Sequence, residues 1–400
     1  MATGIENLAH AVDAANLMKL LPSRPRVLAL GEPAHREETL LDVRNQLFER
    51  LVEQEGYRTI AIESGCLAGL IVDDHVTSGA GDLDEVVARG ITHGWGEMAG
   101  NRELVRWMRA YNDGRPAAEQ VRFAGFDGPL ETTHAESPRQ ALMALHTYLA
   151  TWVDAPLLPC AAGTLDRLLG ADERWTDQAA MMDPARSIGR SAEAGELRLL
   201  ADDLVALLDA HTPHLVAASS RAAWDLARLH ARTAVGLLRY HYWLADASPG
   251  RMSRIVGQRA AMMAGNLLAL AERGPVLVHA SNSHLQRHQS TMAMRDLVVA
   301  WWSAGALVHA RLGADYAFVA TALGTIRHHG VDDPPADTLE GLLSALPGDR
   351  HLFDARRLDA AFGDARPAAR VSPWFGYAAL NPAHLPGIDG LVFVKDALRD

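Results

Sequence analysis

The stretch Val27–Gly65, VLALGEPAHREETLLDVRNQLFERLVEQEGYRTIAIESG, constrains the fold more than any other part of the chain. Val27–Leu30 is a short apolar run suited to a buried parallel strand. Gly31-Glu32-Pro33-Ala34-His35 then breaks any regular pattern. From there to Glu55, Leu40, Leu47, Phe48, Leu51 and Val52 recur at helical spacing, and Gly56 supplies a stop. Thr59–Ile62 is a second apolar run, and it ends on Glu63. The spacing predicts a strand–helix–strand unit with two carboxylates and a histidine at its strand ends. Open α/β sheets place their ligand sites at the carboxyl ends of the strands.

The rest of the chain fits this start. Its 400 residues, 48% hydrophobic, suffice for one large domain or two. A net charge of -11 argues against a nucleic-acid partner. Two cysteines, Cys66 and Cys160, make no disulfide framework. The N-terminal residues lack the pattern of a signal peptide, and no apolar run is long enough to span a membrane. A soluble cytoplasmic protein acting on a small molecule is expected; the sequence does not set the oligomeric state.

Residues 1–25 read as one amphipathic helix, and a further helix is expected from Asn101 to Tyr111. Val121–Phe126 is a third strand candidate and runs into Asp127. From Pro138 the sequence becomes rich in Ala, Leu, Arg and Asp, with helices expected over about 138–153, 192–210 and 213–246. Met252–Arg273 continues the helical pattern. Val276–Ala280, Leu307–Ala310, Ala317–Ala320 and Leu391–Val394 are further strand candidates. The order implies an α/β fold with a mostly parallel sheet flanked by helices. It divides into a core of residues 1–137 and 250–400 and a helical insertion or subdomain, 138–249, covering an active-site cleft.

Several strand ends carry ionisable residues: Glu32 with His35, Glu63, Asp127, and the segment holding His279 and His284. Parallel strands bring such ends to one edge. A histidine suits general-base work on water, a carboxylate can orient it, and an arginine can stabilise an oxyanion. Arg44 and Arg259 are candidates for the last role. Arg44 lies nine residues after His35, about half a turn out of phase if one helix spans both, so it faces the cleft only if the helix starts well after His35. There is no G-x-S-x-G elbow, no Walker A and no H-E-x-x-H helix. No segment has metal-binding spacing, and neither a cofactor nor a metal is expected, although His35, Glu32, Glu63 and His284 are residue types that ligate metals.

Gly31-Glu32-Pro33-Ala34-His35, with Arg44 and Glu63 at their spacing, resembles the opening motif of the erythromycin esterase family. Trp107-Met108-Arg109-Ala110-Tyr111-Asn112, Gly125-Phe126-Asp127, the Arg259–Asn266 segment and Asn282-Ser283-His284 resemble four further family segments. The resemblance implies an α/β fold with a deep cleft. It implies that His35 activates water, supported by Glu32 and Glu63, with Arg44, Arg259 and His284 in the site. Asp127, His279, Ser281, Asn282 and His93 are then substrate-binding candidates. The reaction implied is opening of a macrolide lactone by water without a covalent intermediate. Ser281 stands where the family has histidine, and Ala260 where it has aspartate. Weak or no hydrolysis of 14-membered macrolides is therefore expected. Three functions follow: a hydrolase of a natural-product-like ester or lactone; a biosynthetic dehydratase, cyclase or acyl transferase using His35 as base; and a non-catalytic binder.

Overall fold

A computed structural model describes residues 2–131, 134–294, 297–372 and 374–398. Nine strands occur among them: β1 (Val27–Glu32), β2 (Thr59–Gly65), β3 (Arg122–Asp127), β4 (Val276–Ser281), β5 (Gln289–Met294), β6 (Leu297–Trp302), β7 (Tyr316–Thr325), β8 (Arg350–Asp354) and β9 (Gly390–Asp396). Seven form one sheet in the order β3-β2-β4-β1-β7-β9-β8. Strands β2, β4, β1, β7 and β9 pair in parallel, and β8 joins β9 antiparallel at an edge. The fold is α/β, with a mostly parallel sheet flanked by helices.

The chain forms two compact units, one of Met1–Phe126 with Leu267–Asp400 and one of Asp127–Asn266. The helical segment expected over 138–249 lies inside the second unit. That unit begins earlier, at the end of β3, and takes in most of the helix Arg251–Ala271.

The first unit holds the sheet. Every residue of β1 and β7 is buried, as continuous apolar runs in a doubly covered parallel sheet require. The helix between β1 and β2 runs from Glu38 to Glu55 and packs Leu40, Val43, Leu47, Phe48, Leu51 and Val52 into the core. Gly56 ends it with φ 66°, a left-handed conformation that glycine adopts without a Cβ clash. The second unit is helical, with long helices at Arg139–Trp152, Ala192–Ala210 and Arg221–Leu244. Leu130, Leu237, Tyr240, Leu244, Ile255 and Met262 form a core of its own. No helix of the described residues is long and apolar enough to cross a membrane.

Three expectations need correction. Residues 1–25 form two short helices, Ala2–Glu6 and Ala14–Leu20, the second capped by Asp13. Leu307–Ala310 lies inside a helix, Ala304–Leu312, whose N-terminus Ser303 caps by accepting the Ala306 N–H. A four-residue apolar run does not distinguish a strand from a buried helix segment. The helix expected over 213–246 is two, Thr212–Ala218 and Arg221–Leu244, because Ser220 caps the second one. The β5–β6 ribbon and edge strand β8 had no expected counterpart.

Candidate active site

The carboxyl ends of three adjacent strands, β2, β4 and β1, carry the site of the first unit. Register decides which side chains meet. His279 on β4 aligns with Leu30 of β1 and Ile62 of β2, so it lies just before the two strand-end glutamates; Ser281 aligns with Glu32. Gly31 is required here, since a Cβ would lie 2.1 Å from Asn282 Oδ1.

Glu32 stands between two imidazoles. Its Oε1 is 2.7 Å from His35 Nδ1 and its Oε2 is 3.5 Å from His279 Nε2. Burial pushes the Glu32 carboxyl up, but His279 and the hydrogen bond to His35 outweigh it and hold it below its ordinary value. Burial takes His279 down to about 4, against the attraction of Glu32, so it is neutral near pH 7. The His35 side chain is 39% exposed and packs on Trp95 at 4.9 Å between ring centroids. His93 lies on Trp95 as well, at 5.1 Å. Arg36 and His93 both adopt positive φ, 67° and 62°, which costs about 1 kcal/mol or more each for residues with a Cβ. Such outliers gather at functional sites.

Glu63 performs a parallel task. Its Oε2 accepts the Ser281 N–H at 3.0 Å, and its Oε1 is 3.2 Å from His284 Nε2. His284 is buried, and its Nδ1 makes no hydrogen bond among the described residues.

The helix after His35 begins at Glu38, late enough to turn Arg44 inward. Arg44 is 1% exposed and lines a small cavity with Glu32, Glu63, Trp95 and His279. It donates to Asn45 Oδ1, Asn101 Oδ1 and the Gly100 carbonyl. Burial lowers it to about 10, against the pull of Glu32 and Glu38, so it stays charged at neutral pH.

Other candidates sit differently. Asn282 has both ends of its amide engaged: Nδ2 donates to the Thr321 carbonyl and Oδ1 accepts the Thr321 N–H. It ties the end of β4 to β7, so it serves the fold in place of the substrate contact expected of it. Ser281 accepts the Ser283 N–H as the cap of the short helix Asn282–Leu285. Asp127 and Arg259 belong to the second unit. Asp127 is fully buried and takes the Arg259 guanidinium through Nε at 3.0 Å and Nη2 at 2.6 Å. It also accepts the Gly128 N–H at 2.8 Å, so it holds Arg259 in place.

Sequence spacing did not flag Trp95 or Asn101, which buttress His35 and Arg44 from the 3-10 turn Trp95–Glu97 and the first turn of the helix Ala99–Asn112. Nor did it flag Glu37, buried two residues after His35 beside His328 and His329. These neighbours come from distant parts of the chain, and no local pattern announces them.

Comparison with solved structures gives the same fold at low identity. A protein from Bacillus cereus matches with a TM-score of 0.73 at 17% identity, over 99% of this chain and 96% of that one. A succinoglycan biosynthesis protein matches with a TM-score of 0.71 at 14% identity, over 99% and 96%. A mutant of the erythromycin esterase EreC in its open conformation matches with a TM-score of 0.64 at 18% identity, over 95% and 92%. No match was found among curated proteins. The family model described as erythromycin esterase matches residues 52–394, a span that includes Glu63, Arg259, His279 and His284 and begins after Glu32, His35 and Arg44. With most of its length matched in this way, the chain belongs to the erythromycin esterase family.

Proposed function

We propose that this chain is a hydrolase of an ester or lactone in a natural-product-like substrate, with His35 as the base that activates water. Membership of the erythromycin esterase family supports a hydrolase-like function. The observation that carries the finer reading is the 2.7 Å contact between His35 Nδ1 and Glu32 Oε1 on a half-exposed imidazole. An ionised Glu32 fixes the ring's orientation and tautomer, so that proton transfer falls to Nε2.

In this reading His35 takes a proton from water, and the hydroxide attacks the acyl carbon. The acyl C–O bond then breaks. The leaving alkoxide takes a proton, for which His284 is placed: Glu63 holds its Nε2 at 3.2 Å, while Nδ1 makes no hydrogen bond among the described residues. One water is consumed, giving an acid and an alcohol, or a ring-opened hydroxy acid from a lactone. Arg44 contributes a fixed positive charge beside Glu32 and Glu63. Asp127 serves as the anchor of Arg259.

Ser281 favours a second reading, a biosynthetic enzyme on the same scaffold. Where the family carries histidine, this chain has a helix cap that cannot carry a proton's charge near neutral pH. The two readings separate in oxygen-18 water. A substrate found by screening esters and lactones should give an acid carrying one labelled oxygen by mass spectrometry. Product formation without label overturns hydrolysis and favours dehydration, cyclisation or acyl transfer.

A further inference from the structure

A second cluster lies in the first unit, built from Glu37, His328 and His329. Glu37 opens the helix Glu38–Glu55, yet its side chain makes no capping hydrogen bond. It is 1% exposed, and among the described residues its Oε1 has no hydrogen-bond partner. A buried carboxylate oxygen left in that state is costly unless a cation or donor meets it. Two imidazole nitrogens face it: His328 Nε2 is 3.2 Å from Oε2, and His329 Nε2 is 3.8 Å from Oε1.

Both histidines sit on the short turn Arg327–His329 that follows β7. Ile326 and Val331 pair through two backbone hydrogen bonds, and Gly330 closes the loop at φ 71°. The turn is therefore pinned, and it delivers consecutive side chains to one carboxylate. Trp374 stacks flat on His329, 3.9 Å between centroids at 12°, and fixes that ring. Ligand orientation by such outer contacts is a recurrent feature of metal sites.

One oxygen and two imidazole nitrogens, all within 4.8 Å of one another, form a compact donor set. Around a tetrahedral cation with bonds of about 2.0–2.1 Å, neighbouring donors stand about 3.3 Å apart. The His328 contact, to Oε2, already has that spacing. His329 lies 3.8 Å from Oε1, and a single-oxygen set whose donors stand within 4.8 Å of one another has to contract by at most about 1.5 Å. We propose that Glu37, His328 and His329 bind a divalent cation of the zinc type. Two imidazoles and one carboxylate suit a borderline transition metal; calcium and magnesium call for more oxygen donors than the cluster offers. Three protein ligands leave a fourth position for water. The histidine side chains, 18% and 40% exposed, give access from solvent. The bound cation would staple the turn after β7 to the start of the helix that follows His35, using none of the residues assigned above to hydrolysis.

The test uses the full chain, stripped by a chelator and titrated by calorimetry with Zn2+ and, in parallel, by visible absorption with Co2+. The expected result is one equivalent bound per chain, with the d–d bands of tetrahedral Co2+ and a higher melting temperature in the presence of Zn2+. Combining His328→Ala with His329→Ala should weaken binding by about 100-fold or more, while His35→Ala leaves it unchanged. Glu37→Gln is the control against misfolding, because it keeps side-chain volume and loses no capping bond; it too should abolish the Co2+ bands. The proposal is overturned if no single equivalent binds, if the double variant binds as tightly as the wild type, or if His35→Ala removes the binding.

Discussion

Asp127 of the second unit and the two strand-end glutamates of the first are buried carboxylates with opposite kinds of partner. In the second, Asp127 is held by an arginine, and the buried His241 by a backbone carbonyl. Asp127 takes Arg259 and the Gly128 N–H, and His241 Nε2 donates to the Glu136 carbonyl while the ring packs on Trp175. In the first, the strand-end carboxylates are paired with imidazoles: Glu32 with His35 and His279, Glu63 with His284. A guanidinium holds its proton throughout the working range, so an arginine–carboxylate pair can fix a shape but not exchange protons. An imidazole changes charge near neutrality, so the same carboxylate beside it can support acid–base work. The contrast is what the proposed mechanism uses: chemistry at the strand ends of the first unit, positioning by the Asp127–Arg259 pair.

The contrast breaks most visibly at Asp127. Asp127→Ala leaves the Arg259 guanidinium without the carboxylate that holds it, and removing one partner of a buried pair should cost about 3 kcal/mol by urea denaturation. Asp127→Asn, which retains an acceptor for the Gly128 N–H, should cost less. A loss below about 1 kcal/mol for Asp127→Ala would mean the pair behaves as a solvent-screened surface contact.

His241 sharpens the comparison through pH. Burial lowers it from 6.5 to about 4, with the Glu136 carbonyl opposing. The unfolded chain therefore binds the proton between those values and the folded chain does not. This contribution to stability is present above pH 6.5 and is lost as the pH falls toward 4. In His241→Gln it disappears, while the other titrating groups cancel in the comparison with the wild type. The wild type should lose about 2 kcal/mol more than the variant between pH 7 and pH 5. Parallel stability curves would show that His241 is solvated when the chain is folded.

The smallest effect is expected at Ser281. Its hydroxyl caps a helix of one turn, so Ser281→Ala should cost about 0.5–1 kcal/mol. A larger loss would give Ser281 a structural weight beyond that cap.

Sequence reading reached most of the first unit because its signals are local. The apolar runs at Val27, Thr59 and Val276 are buried strands, and a left-handed Gly56 stops a helix whose apolar spacing was plain. The same logic brought Glu32, His35, Glu63 and His284 to neighbouring strand ends, where they do gather. Arg44 turned on where its helix begins, and the start at Glu38 settles that it faces inward. What stayed illegible is long-range. Which carboxylate oxygen meets which imidazole depends on the β1–β4–β2 register. Asn282 reads as a site residue in sequence, yet its amide is spent on the Thr321 backbone. The helix at Ala304–Leu312 looked like a strand because the sequence shows the run but not the Ser303 cap in action.

The central claim is that His35, held by Glu32, activates water. Its most direct test is the turnover of His35→Ala on an ester or lactone that the wild type cleaves, with circular dichroism to establish that the variant is folded. The account predicts a loss of about 10²–10⁴-fold, the usual worth of a general base. The fold should be intact, because the His35 side chain is only partly buried. A folded variant that turns over substrate at near the wild-type rate would contradict it.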